Sequence, residues 1–187
     1  MDPELYVFQW IERPALKVAA STALFILLTA AARLLLPGSR LGLGAQSLTG
    51  WLAVLVGFVV FIYASYQAWR ATREKNAVED PKRQAATRLL DTGFYARVRH
   101  PMYGMFILAN AGLGLAAGSI YGLAFGLLSV VVFVLNGFFE ERALLIPQFG
   151  GLYRDYMRRV PARFFTPLDA ALLAVTLALS AAGVWLM

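Results

Sequence analysis

The sequence contains no cysteine. A disulfide framework, a thiolate nucleophile and a thiolate metal site are therefore excluded. It contains one histidine, His100. A His-rich metal site is excluded with it, and no His-Glu-x-x-His stretch occurs. No metal is expected. There is no P-loop and no glycine-rich dinucleotide fingerprint. The opening MDPELYVFQWIERP lacks a basic leader, so no cleavable signal peptide is expected. Charge is also scarce, at 15% of residues. Residues 41–69, 101–139 and 170–187 carry none, and 18–40 carries only Arg33 and Arg40. A soluble helix shows polar positions every third or fourth residue. These runs do not.

What is present is hydrophobic: 59% of 187 residues, with a mean hydropathy of +0.63. A membrane span needs about 20 apolar residues. The net charge of +6 lies between the apolar runs, where anionic headgroups sit. No nucleic-acid motif accompanies it. The expectation is an all-α integral membrane protein, a single domain over 1–187 with about five transmembrane helices. The spans read as 14–36, 48–69, 101–118, 120–139 and 167–187. The first two form an N-terminal two-helix part, 1–69, and 169–187 lies in the final helix. Ala117-Gly118-Ser119 splits the run 101–139 into a tight helical hairpin, since glycine ends a helix and serine caps the next. Basic segments 70–100 and 140–168 are expected on the cytoplasmic side. The N-terminus is then inside and the C-terminus outside. An interfacial helix is expected near 150–160.

A tight hairpin brings Arg99-His100-Pro101, which enters the third span, beside Glu140-Glu141, which leaves the fourth. Pro101 suits the first helical turn. It keeps His100 out of the helix, where free backbone N–H groups nearby can face an anion. Tyr95 and Tyr103 join the same edge. The plain alternative for Glu140-Glu141 is a solvated helix end. A helix C-terminus disfavours carboxylates, however, so a cationic partner, Arg142 or a ligand, helps explain them. The two acids point about 100° apart, so one can be functional and the other solvated. Tyr153, Tyr156, Arg158 and Arg159 fit either a basic surface helix or a flap over a site. Asn110 and Asn136 suit interhelical hydrogen bonds. Gly112-Leu113-Gly114 suits close packing, and Gly42-Leu43-Gly44 carries no weight.

The stretch TGFYARVRHPMYGMFIL, residues 92–108, resembles the core motif of the isoprenylcysteine carboxyl methyltransferase family, relatives of membrane phospholipid N-methyltransferases. The matching residues are Gly93, Tyr95, Arg99, His100, Pro101 and Tyr103. A second block, residues 140–168, is similar to the family in Glu140-Glu141, Phe149-Gly150, Tyr153, Tyr156 and the run Arg163 to Pro167. The resemblance covers 85–168, a methyltransferase-like core. Two departures stand out: Met105 holds a place that is usually glycine, and Thr166 is inserted before Pro167.

The resemblance implies S-adenosylmethionine as methyl donor, held by a C-terminal cofactor region at the cytoplasmic face. It implies cofactor contacts from Tyr95, Arg99, His100, Pro101, Tyr103, Glu140, Glu141 and Tyr153. Arg99 or amides near His100 would hold the carboxylate. Glu140 or Glu141 would hold the ammonium or ribose. His100, Glu140 and Arg99 are the catalytic candidates, with His100 or Glu140 taking a proton if the acceptor is an amine. Tyr156, Arg159 and Asn136 are the acceptor-side candidates. The acceptor is expected to be lipidic or hydrophobic, such as an isoprenylcysteine carboxylate or a phospholipid amine. The sequence points to no partner protein. Two other readings exist: an NADPH-dependent membrane reductase of the sterol reductase type, which shares the Arg-His-Pro-x-Tyr ending but is longer, and a non-catalytic scaffold or transport subunit. NADPH binding would distinguish the first. Polar groups at mid-membrane would mark the second.

Overall fold

The computed structural model describes residues 23–24, 26–31, 34–35, 48–80, 85–86 and 88–186. The expected first span, 14–36, lies largely outside these residues, as do Arg33 and the connector 37–47. Residues 26–31 are helical. Helix α1 runs Leu48–Asn76. It continues past the expected end near Trp69 because nothing in Arg70 to Asn76 breaks a helix. Two-residue strands β1, Glu79–Asp80, and β2, Ala85–Ala86, pair antiparallel. Helix α2 is Pro101–Ala117 and α3 is Ile120–Glu140. A π-helical turn, Glu141–Leu145, joins α3 to α4, Ile146–Phe149. Helix α5 is Gly151–Arg159 and α6 is Pro167–Trp185.

Local chemistry fixes these ends. Pro101 occupies the first turn of α2, where its missing N–H costs nothing. Gly118 closes α2 in the left-handed region at φ 57°. The Ser119 side chain then caps α3 by accepting from the Gly122 amide. The hairpin therefore turns where the sequence places it. Thr166 and Asp169 form a reciprocal capping box at the start of α6. The inserted threonine is thus a helix cap. The Asp169 carboxylate also accepts from the Tyr63 hydroxyl at 2.9 Å, tying α6 to α1.

Helix α2 is the centre of the bundle. It packs antiparallel on α1, with Gly112 against Gly57, and on α3, with Gly114 against Gly122. Helix α6 also lies against it. Met105, Ile107, Leu108 and Leu115 are buried, Met105 and Leu108 completely. Outward-facing Leu52, Leu55, Phe58, Leu127, Leu135 and Val175 leave an apolar exterior suited to lipid.

Among the described residues, three helical stretches are long and apolar enough to cross a membrane: Leu48–Asn76, Ile120–Phe149 and Pro167–Trp185. This corrects the expectation of about five and supports a multi-pass integral membrane topology. Helix α2 has 17 residues, pinned between Pro101 and Gly118. It reaches only about 25 Å at 1.5 Å per residue, short of a hydrocarbon core of about 30 Å. It is apolar all round because neighbouring helices enclose it. The fourth expected span also runs beyond Phe139, because the helix continues through Glu140-Glu141 to Phe149.

Candidate active site

The antiparallel packing places the C-terminal end of α1, the start of α2, the end of α3 and the start of α6 at one edge of the bundle. Two stretches of irregular chain complete it. The first, residues 88–100, is anchored by the Phe94 amide, which donates to Glu74 at 2.8 Å. The second, residues 160–165, lies along the first: the Arg99 amide donates to the Ala162 carbonyl at 3.0 Å and the His100 amide to the Arg163 carbonyl at 2.8 Å. These two amides are therefore spent on the chain itself. The expectation that amides near His100 stand free for an anion is corrected for Arg99 and His100.

The second stretch approaches α2 closely at Gly104, where a Cβ would overlap the Phe164 carbonyl oxygen. Gly104, not position 105, provides the close approach, and Met105 turns into the core instead.

His100 lies between Glu140, the last residue of α3, and Glu141, the first of the π-helical turn. Its Nε2 is 3.0 Å from Glu141 Oε1, and its Nδ1 is 3.5 Å from Glu140 Oε2. Glu141 is buried and holds two further cations: Arg163 donates to its Oε2 at 2.9 Å, and Arg99 Nε lies 3.4 Å from its Oε1. Glu140 is partly open and has Lys75 Nζ at 3.9 Å. A neutral imidazole carries only one N–H. With a carboxylate at each ring nitrogen, the protonated ring fits best. Burial opposes that charge, but hydrogen bonds and charges from Glu140 and Glu141 outweigh it and raise the His100 pKa above its usual value. The ring also stacks on Tyr103, at a centroid distance of 5.5 Å.

The turn at Glu141–Leu145 has a local cause. Pro147 cannot donate its helical hydrogen bond, and its ring crowds the carbonyl one turn back. The chain widens ahead of it, and the Ile146 amide reaches the Glu141 carbonyl, five residues earlier. Such turns recur at functional sites.

Beside this cluster lies a cavity of about 290 Å³. Lys75, Arg88, Arg99, His100, Glu140 and Gln148 are its polar lining. Tyr95, Tyr103, Phe149, Tyr153 and Tyr156 are aromatic, and Met102, Leu89, Leu144 and Leu145 are among the apolar residues. Helix α5 forms one wall. Its inward Tyr153 and Tyr156 are 1% exposed, while Arg154 and Arg158 face outward. The Tyr156 hydroxyl donates to the Tyr95 carbonyl at 2.7 Å. The Tyr153 hydroxyl is buried with no hydrogen-bond partner among the described residues. Burial pushes the pKa of both tyrosines well above the usual value, so both remain protonated donors.

The family described as "Phospholipid methyltransferase" matches residues 45–150, more than half of the chain. The chain belongs to the phospholipid methyltransferase family. No curated protein and no solved structure matches it. Membership of the phospholipid methyltransferase family implies an S-adenosylmethionine-using membrane enzyme. The match spans α1 to α4 and ends at Gly150, so α5 and α6 lie beyond it.

Most of the residues singled out in the sequence converge. Tyr95, Arg99, His100, Tyr103, Glu140, Tyr153 and Tyr156 line the cavity. Glu141 and Pro101 do not. Glu141 lies behind the wall, holding His100, Arg99 and Arg163, and Pro101 is buried at the start of α2. Neither acid is merely solvated, and their cationic partners come from other segments. Arg142 is exposed and is not one of them. Asn136 is exposed on α3 away from the cavity. Arg159 pairs with Asp91 at the surface, at 3.2 Å, and also lies outside it. Of the three acceptor-side candidates, only Tyr156 lines this cavity. Sequence reasoning missed Lys75, Arg88 and Gln148 in the lining. The signal for Lys75 was its place nearly two turns beyond the apolar run that ends at Trp69, with no helix breaker between.

Proposed function

We propose that this cavity holds S-adenosylmethionine and that the protein transfers its methyl group to a lipidic or hydrophobic acceptor at the membrane edge. The carrying observation is a lining that offers separate partners for each part of a zwitterionic, aromatic cofactor. Cations Lys75, Arg88 and Arg99 suit a carboxylate. Glu140 suits an ammonium or ribose hydroxyls. The unpartnered Tyr153 hydroxyl awaits an acceptor atom, and the remaining aromatic rings suit a purine. The volume is near the lower end of small-molecule sites, about 300 Å³.

S-adenosylmethionine, when bound, supplies an electrophilic methyl group on a sulfonium. The chain's part is to bind, to orient and to exclude water. The buried tyrosines and Phe149 shield the site from water. His100, whose protonated form is favoured between two acids, serves as a fixed cation and donor. If the acceptor is an amine, it must shed a proton, and Glu140, open to the cavity, is the group placed to take it. A carboxylate acceptor needs no base. Both an isoprenylcysteine carboxylate and a phospholipid amine suit an edge site reached from the lipid. The arginine-rich edge faces the cytoplasm by its charge.

Calorimetric titration of the detergent-purified protein with S-adenosylmethionine tests the reading. Saturable binding is expected, and its absence defeats the proposal. Incubation with lipid extracts and a labelled methyl donor then identifies the acceptor.

A further inference from the structure

We propose that Arg163 is a positioning residue for His100, acting through Glu141 from outside the cavity. Three contacts form a closed ring over three segments. The His100 amide donates to the Arg163 carbonyl at 2.8 Å. The Arg163 guanidinium donates to Glu141 Oε2 at 2.9 Å. Glu141 Oε1 meets His100 Nε2 at 3.0 Å. The same residue therefore grips both ends of His100, its backbone directly and its ring by way of a carboxylate.

The guanidinium is itself held. It lies over the Phe138 ring, 3.8 Å from its centre. Its second function is orientation, since a planar fork on an aromatic face directs its N–H groups more tightly than an ammonium can. Glu141, held at one oxygen by Arg163, cannot rotate away from His100 at the other. His100 then keeps Nδ1 turned to Glu140 and the cavity. This role in binding rests on the reading of the cavity as a methyl-donor site. The effect on His100 itself does not.

The groups facing or flanking His100 are Arg99 beside it, Tyr103 on α2, Glu140 at the end of α3, Glu141 at the start of the π-helical turn, Arg163 on the 160–165 stretch, Lys75 through Glu140, and Tyr153 in the same cavity lining. Removing Arg163 has two opposite consequences for them. If Glu141 stays in place, loss of a nearby cation lets His100 hold its proton more tightly. If Glu141 swings away, His100 loses a carboxylate and releases its proton more easily. Positioning predicts the second.

His100 is the only histidine, so every ring signal from labelled histidine belongs to it. Its titration in detergent micelles is the test, in the wild type, Arg163→Met, Arg163→Lys and Phe138→Leu. The midpoint is expected to fall by about one pH unit in Arg163→Met, the scale of one lost charge partner. Arg163→Lys should fall less. Phe138→Leu, which keeps the charge and loosens its grip, should also fall, and it decides the matter if Arg163→Met does not fold. A rise or an unchanged midpoint overturns the proposal. Calorimetry with S-adenosylmethionine adds a second readout: Arg163→Met should bind about tenfold more weakly, as on loss of an orienting partner elsewhere, and unchanged affinity counts against positioning. If the wild type itself does not bind, the cavity reading fails and the NMR titration still decides Arg163.

Discussion

His100 and Glu141, 41 positions apart in sequence, meet at 3.0 Å in a buried contact. The hairpin of α2 and α3 makes that meeting possible, and its cost is a carboxylate and several cations withdrawn from water. Removing one partner from such a cluster leaves the others uncompensated. Glu141→Gln should therefore lower stability by about 3–5 kcal/mol, the range for a broken buried pair. Glu140→Gln, at the more open position, should cost less stability and weaken the methyl donor more. Thermal melts in detergent, set beside calorimetric titration, separate the two effects. Equal behaviour of the two variants would contradict the division of roles.

The raised pKa of His100 sets a pH dependence. A group that binds its proton more tightly when folded contributes stability fully below its unfolded pKa, about 6.5. That contribution is lost as pH rises through the higher folded value. The melting temperature of the wild type should fall across this window by more than that of His100→Gln. Melts from mildly acidic to mildly alkaline pH test the sign, and parallel curves would refute it.

Tyr153→Phe should behave unlike most buried substitutions. The hydroxyl it removes has no partner among the described residues, so the unliganded protein should melt at the same temperature or higher. The same change should weaken ligand binding by about 0.5–1.5 kcal/mol, one hydrogen bond. A lower melting temperature with unaltered binding would place that hydroxyl outside any ligand contact.

Gly104→Ala forces a methyl group into the Phe164 carbonyl. The obstacle is backbone, which cannot rotate aside, so a loss of about 1–3 kcal/mol is expected. Gly151→Ala meets nothing within 4 Å and serves as the control. Melting both variants is sufficient, and equal melting points would contradict the close approach.

Arg159→Ala should change donor affinity by less than about twofold. Its pairing with Asp91 is on the surface, where such contacts contribute little. A large loss in titration would contradict its placement outside the cavity.

Much of the edge was legible because a turn and a motif speak in local terms. Gly118-Ser119 carries its own helix stop and start, and once the chain folds back there, His100 must approach Glu140-Glu141. Span number was harder to read. Hydropathy registers apolar surroundings but does not distinguish lipid from neighbouring helices, so enclosed α2 looks like a span. Glu140 and Glu141 are adjacent letters with the same chemistry. Their division into cavity wall and buried hub depends on rotation about the helix axis, which the π-helical turn at Glu141–Leu145 helps to set. Lys75 and Arg163 reach the acids across elements far apart in sequence, and only the packing of those elements brings them close.

The wide turn ahead of Pro147 has one residue more than an ordinary helix would need. Deleting a single position there would restore the usual pitch and leave the downstream face almost unturned, because five residues of the wide turn cover about the rotation of four in an α-helix. Gln148 and Phe149 would still look into the chamber, and the lipid-facing part of α3 would stay as it was. A one-codon change is thus confined to the wall beside Glu141, independently of the anchor in the bilayer.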